Sequence, residues 1–222
     1  MGASTMLTII ASVIIYCAVG GGWLLAVRGW QNVEGWASQA GAPSTGSAAR
    51  PAVVEARDGN RHARLAALRE KAQTHIAQER LLFSESELSD IESRYKSAHD
   101  DLGLGVRRPT GLEALEELIQ RYPRSNRAGC ATMELALASS GAKRERYLRR
   151  AIANYSDAWF ENGSQVGALS RAMLAVHLAG LDRFDEAETV ARELRANYAG
   201  SVDLSGAPLD DVLEAVKLLK RV

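Results

Sequence analysis

Cysteine is scarce in this chain: Cys17 and Cys130 are the two among 222 residues, and they stand 113 positions apart. One distant pair, with one member inside an apolar run, does not make a disulfide scaffold. Charge of one sign is missing as well. The 27 Lys and Arg cancel the 27 Asp and Glu, so the whole molecule has no net charge to draw it toward nucleic acid or an anionic surface. Any electrostatic preference must be local. His62, His75, His99 and His177 form no His-x3-His pair and have no Glu at metalloprotease spacing, so no metal is expected. No strand precedes Gly103 and Gly105, no Gly-Lys-Ser/Thr follows them, and no nucleophile elbow occurs, so neither a cofactor nor a catalytic group is expected. With these classes set aside, the length allows one ordinary domain and an appendage.

Charged side chains are absent from Met1 to Val27, and within that stretch Met6 to Val27 is an apolar run of 22 residues. At about 1.5 Å per residue it reaches roughly 33 Å as a helix, enough for a hydrocarbon core of about 30 Å. Trp23, Trp30 and Trp36 gather near its end, where indole rings favour the membrane interface. The expectation is a transmembrane anchor over residues 1–28 in contact with a lipid bilayer. The alternative is a cleaved leader with Leu7 to Cys17 as its apolar region, opposed by the missing basic start and by the apolar continuation Trp23 to Val27. Arg28 alone does not fix the side on which the rest of the chain lies.

Residues 29–60 are expected as a flexible linker, since Ala37 to Pro51 contains only small and polar side chains. Beyond it the pattern turns helical. Leu65, Leu68, Ala72, Ile76 and Phe83 recur near helical spacing, which predicts a membrane-proximal amphipathic helix over 61–83. Ser84 followed by Glu87 is a capping-box signature for a second helix, expected to stop before Asp101. Gly103 to Thr110 reads as a loop, and Ser205 to Val222 as a terminal helix opening near Pro208.

Between these lies a degenerate repeat. Arg121-Tyr122-Pro123-Arg124-Ser125, Asn154-Tyr155-Ser156-Asp157-Ala158 and Asn197-Tyr198-Ala199-Gly200-Ser201 each close an amphipathic stretch, and their tyrosines are 33 and 43 positions apart. The first spacing is near the period of about 34 residues of helical-hairpin repeats, and the second adds an insertion of about nine, Ser156 to Gly167. Ala128, Cys130, Ala131, Leu135 and Ala136 should pack on Leu148, Ile152 and Tyr155. Ala172, Leu174, Ala175 and Leu178 should pack on Phe184, Ala187, Val190, Ala191 and Leu194. At these residues the chain resembles the tetratricopeptide-repeat superfamily, in particular bacterial envelope adaptors whose helices end in Tyr-Pro-x-Ser; the last two motifs here lack the proline. The resemblance implies an all-α superhelical array over 84–222 with a C-terminal capping helix, binding proteins or peptides rather than catalysing a reaction. It also implies a place at a bacterial inner membrane.

Charge then suggests where a partner would dock. From Arg121 to Arg150 eight basic residues face two acids, Glu134 and Glu145. Arg124, Arg127, Arg149 and Arg150 are the expected polar contacts for an acidic protein segment, and Trp159 an aromatic one. The competing readings are a solvated face for the arginines and a wedge between hairpins for Trp159. Too few aromatics accompany the arginines for RNA, so no nucleic-acid partner is expected. Self-association through Arg61 to Phe83 and the terminal helix is the structural alternative, and a membrane-anchored enzyme with an unrecognised site the more distant one.

Overall fold

A computed structural model describes residues 52–103 and 109–220, with side chains over 61–101 and 110–220. The expected membrane span Met6–Val27 and the tether to Pro51 lie outside the described residues. By its internal contacts the chain divides into Met1–Asp58 and Gly59–Val222; the first is described only over residues 52–58, which are helical.

The described residues are all-helical, with two isolated β-bridges and no extended strand. Among the described residues eight α-helices follow one another: α1 (Ala52–Gln78), α2 (Glu85–Gly103), α3 (Pro109–Arg121), α4 (Asn126–Ala138), α5 (Gly141–Asn154), α6 (Val166–Ala179), α7 (Phe184–Asn197) and α8 (Val212–Leu219), with a 3-10 turn at Glu79–Leu81 after α1. No described helix is long and apolar enough to cross a membrane.

Helix α1 begins at Ala52, inside the stretch expected as linker. Ala52 to Arg57 are mostly good helix formers behind Pro51, and the Gly59-Asn60 pair costs only about 1.5 kcal/mol, too little to break a helix continuing into Ala, Leu, Arg and Glu. The capping box forms as expected: the Ser84 N–H and hydroxyl both donate to Glu87 Oε2 at 2.8 Å, and α2 starts at the next residue. Helix α2 passes the expected stop and ends at Gly103.

Even-numbered helices stack in turn, α2 on α4, α4 on α6 and α6 on α8, while each helix from α2 onward also packs on its neighbour in sequence. Helix α4 is sandwiched and buried from Asn126 to Ala136. Its small residues explain this. A Cβ at Gly129 would lie 2.5 Å from Ala158 Cβ, so only glycine lets the next loop approach so closely. The expected apolar faces of both hairpins are buried or half-buried in the core, and α8 closes the array through Leu213 and Val216.

The tyrosine motifs are one repeated backbone device. The N–H groups of Tyr122, Tyr155 and Tyr198 each donate to the carbonyl four residues back at 2.9 Å. Their carbonyls accept from Ser125, Ala158 and Ser201 at 3.0, 3.1 and 3.0 Å. After Tyr122 the chain enters α4 at once, with Ser125 Oγ capping Ala128 N at 3.0 Å. After Tyr155 and Tyr198 it makes the same detour twice. Val166 N reaches Ala158 O at 2.9 Å and Leu209 N reaches Ser201 O at 3.0 Å; Trp159 bridges Gln165 and Val202 bridges Pro208; Gly163 and Gly206 take φ of +93° and +79°. The insertion expected once is therefore present twice. Pro208 belongs to the second copy rather than to a helix start, and α8 opens only at Val212.

Over its described side chains helix α1, with the 3-10 turn that follows it, lies across the three tyrosine loops in reverse order. Glu79 accepts the Asn126 N–H at the first loop, Leu68 abuts Gly163 at the second, and at the third Leu65 abuts Gly206 while Arg64 Nε donates to Gly200 O at 2.7 Å. From Leu65 to Glu79 a helix rises about 21 Å, which matches two interaxial steps of roughly 8–10 Å each.

Candidate functional site

The expected contact residues scatter once folded. Arg124 sits exposed in the turn after Tyr122, with no hydrogen-bond or ion-pair partner among the described residues. Arg127 turns inward. Its guanidinium lies 4.6 Å from the Tyr95 ring centre, holds Glu92 through two hydrogen bonds of 2.7 Å and also binds Glu161. These carboxylates hold the Arg127 pKa above its ordinary value even though burial opposes the charge. Buried and doubly paired, Arg127 joins α2, α4 and the Trp159 loop and is not open to a partner.

Arg149 is exposed but already neutralised. It meets Glu145 at 2.8 Å and Glu186 at 3.2 Å, and Arg183 reaches the same two carboxylates at 2.7 Å, a four-membered network tying α5 to the start of α7. The guanidinium of Arg183 and then that of Arg149 hold the Glu145 carboxyl below its usual range. Such a network staples helices more than it recruits ligands.

Arg150 is the one expected arginine that borders a recess, and no other expected contact joins it there. With Arg146, one helical turn earlier on α5, it borders a recess of about 320 Å³ whose remaining walls are Tyr147 and, on α3, Glu116 and Gln120. Tyr147 donates its hydroxyl to Glu116 Oε1 at 2.5 Å, and Lys143 Nζ stands 4.0 Å from the same oxygen. Burial and the adjoining Glu116 push the Tyr147 hydroxyl up to about 12. The acid of the recess is thus engaged, whereas Arg146 and Arg150 have no hydrogen-bond or ion-pair partner among the described residues. Arg146 and Tyr147 were missed in the sequence, although the i, i+4 spacing of Arg146 and Arg150, opposite buried Leu148 and Ala151, was the signal for a shared exposed face.

Trp159 is half-buried and held through its backbone. Its N–H donates to Asn126 Oδ1 at 2.7 Å, and its carbonyl accepts from Asn126 Nδ2 at 2.8 Å and Cys130 Sγ at 3.4 Å. Phe160 packs on the core, so the pair is neither a protruding hot spot nor a full wedge. The indole borders a groove of about 500 Å³ whose other wall is α1 at Lys71, Thr74, His75 and Gln78.

A second polar group is internal. On α4, Glu134 accepts from the Tyr95 hydroxyl and meets His99 Nδ1 at 3.0 Å, while its Oε2 is buried without a hydrogen-bond partner. Beside it Cys130 is fully buried, and desolvation drives its thiol pKa far above the ordinary value, which removes the thiolate that nucleophilic chemistry needs. Comparison with protein-family models, curated proteins and solved structures finds no match for the chain.

Proposed function

We propose that this chain is a noncatalytic docking protein of tetratricopeptide-repeat type, anchored in a bacterial inner membrane through Met6 to Val27, and that it holds an acidic segment of another protein in the recess between α3 and α5. The observation that carries the docking role is the pair Arg146 and Arg150, two guanidiniums one turn apart beside Tyr147, in a recess whose single carboxylate is already hydrogen-bonded. Arginine forks suit carboxylates, and a neighbouring phenol offers an apolar face to the peptide between them. Stacked helices supply a rigid platform that holds the two side chains in register. The anchor is supported by the length and uncharged character of the apolar run and by the tryptophans behind it.

The test is binding of a fluorescein-labelled polyglutamate peptide to the full chain in detergent. Binding that weakens with added salt, and falls roughly tenfold, about 1.4 kcal/mol, in Arg146→Glu with Arg150→Glu, supports the reading. Unchanged binding in that variant, with its helical circular dichroism intact, rejects it. Protease accessibility in intact cells and spheroplasts tests the anchor and reports the side of the helical part.

A further inference from the structure

The recess between α3 and α5 gathers Glu116 with Arg146 and Arg150, and Lys143 Nζ stands 4.0 Å from Glu116 Oε1. The side chains of Glu116 and Lys143 are 43% and 53% exposed, so packing pins neither of them. A carboxylate on a flexible stem, sharing a recess with two guanidiniums, would be expected to swing onto them, because the arginine fork matches a carboxylate better than a single ammonium does. Yet no hydrogen bond or ion pair joins Glu116 to Arg146 or Arg150 among the described residues. Arg149 on the same helix shows the usual outcome. There Glu145 and Glu186 are bonded by arginines alone, and both reach the guanidinium, at 2.8 and 3.2 Å.

What differs in the recess is Tyr147. Its hydroxyl donates to Glu116 Oε1 at 2.5 Å, from α5 to α3, and its ring centre lies 5.8 Å from Lys143 Nζ. One aromatic side chain therefore gathers the acid and a lysine together. The phenol can act as a fixed point because its ring is half-buried and packs on the core, next to fully buried Leu148, whereas the groups it holds are on solvated stems. Burial, with Glu116 beside it, pushes the hydroxyl up to about 12, so near neutral pH it keeps the proton that it donates. With Glu116 and Lys143 offsetting each other, the charge left in the recess is that of the two arginines.

We infer that Tyr147 is the positioning residue of this recess: its hydroxyl holds Glu116 beside Lys143 and so keeps the chain's own carboxylate from taking Arg146 and Arg150 in place of a partner's. The inference rests on the proposed docking role and names what keeps that site open. Once the phenolic hydroxyl is gone, Glu116 becomes a competitor within the same molecule, at an effective concentration that a dissolved peptide does not match. A partner carboxylate must then displace it, and the observed affinity falls by the fraction of time the arginines are filled from within. Tyr147 thus acts on the ligand through Glu116, not by touching it with the hydroxyl.

The probe is the fluorescein-labelled polyglutamate peptide, titrated onto four full chains in detergent: unaltered, Tyr147→Phe, Glu116→Gln and the two substitutions together. Tyr147→Phe keeps the ring and should weaken binding roughly fivefold. In the Glu116→Gln background the same substitution should change nothing, since no carboxylate remains to be held back. An equal weakening in both backgrounds, as lost packing or a lost contact between hydroxyl and peptide would give, overturns the inference. Phenylglyoxal labelling of the peptide-free chains, read at each arginine by mass spectrometry, tests it without any ligand. Arg146 and Arg150 should react at least about threefold more slowly in Tyr147→Phe than in the unaltered chain, and at the unaltered rate when Glu116→Gln is added. Exposed Arg124 serves as the internal standard. Unchanged rates at Arg146 and Arg150 in a Tyr147→Phe chain with intact helical circular dichroism overturn the inference, since the released carboxylate has then gone to Lys143 or to solvent. Should the unaltered chain bind no polyglutamate, the docking role fails, and the labelling still decides the part played by Tyr147.

Discussion

Asn126 binds the backbone of Trp159 as a neighbouring strand would, accepting its N–H at 2.7 Å and donating to its carbonyl at 2.8 Å. The two residues are 33 positions apart, and their pairing fixes the first long loop against the N-terminus of α4, where Asn126 is itself buried. One amide thus serves two backbone groups that the loop turns away from any regular ladder.

Replacing Asn126 with Ala leaves the Trp159 N–H without its partner while the carbonyl keeps the Cys130 thiol, and should lower stability by roughly 1–3 kcal/mol, the cost of about one unmet buried polar group. For a unit of this size that corresponds to a fall in melting temperature of roughly 2–12 °C. Thermal unfolding by circular dichroism checks it; a change below about 1 kcal/mol would show that water replaces the amide at little cost.

Arg124 and Arg127 lie three positions apart and should behave as different kinds of residue. Arg127→Ala removes a buried guanidinium from the Tyr95 ring and frees two largely solvated carboxylates, Glu92 and Glu161, so a loss of roughly 1–3 kcal/mol is expected, less than for a pair buried on both sides. Arg127→Lys should recover part of it, lacking the fork that holds Glu92. Arg124→Ala, at an exposed site without a bonded partner, should stay within about 0.5 kcal/mol of the unaltered chain. Urea titration of the three variants measures both effects, and equal losses at the two positions would contradict the inward placement of Arg127.

That contrast also shows what could be read from residues alone. Helix positions followed from apolar spacing and from local chemistry such as the Ser84 and Glu87 box, which acts over one turn and carries its whole signal in sequence. The second long detour could not be inferred from tyrosine spacing, because it follows Tyr198 and no fourth motif stands beyond it to register the added length. Arg127 resisted for another reason. Its direction is set by Tyr95, Glu92 and Glu161, which come from a different helix and a loop, so a count of charges between Arg121 and Arg150 treats it like its solvated neighbours. Helix α1 showed its apolar stripe but not its target, since the surface it covers is assembled from three loops separated in the chain.

Two histidines should give stability opposite dependences on pH. The hydrogen bond to Glu134 raises the pKa of His99, so the folded state favours the imidazolium; this stabilisation is full below the unfolded value near 6.5 and is lost as pH rises through the higher folded value. Burial, reinforced by Arg144, lowers the pKa of His177, so the fold favours the neutral ring and loses stability as pH falls through about 6.5 toward the lower folded value. The raised Glu79 carboxyl acts in the same sense as His99 and is common to all the chains compared. Between roughly pH 5.5 and 7.5, His99→Gln should make the melting temperature climb more steeply with pH than in the unaltered chain, and His177→Gln should flatten or invert the climb. Parallel profiles for all three chains would show that neither ring changes its proton affinity on folding.

The thiol of Cys130 reports on the Trp159 loop without perturbing it. Cys130 has no solvent exposure, donates to the Trp159 carbonyl at 3.4 Å, and has its pKa raised by burial, so neither access nor ionisation favours attack on a disulfide reagent. In a chain carrying Cys17→Ser, Ellman's reagent should therefore find no reactive thiol in the native state and one in denaturant. Labelling must wait for the loop to move, because the Trp159 backbone lies directly over the sulfur. Adding Asn126→Ala should consequently raise the native labelling rate at least about tenfold, since a hold worth 1.4 kcal/mol or more on the closed loop is removed. A rate unaffected by that substitution would mean that the sulfur is reached by opening of the whole array instead, and would detach the Asn126 pairing from control of the loop.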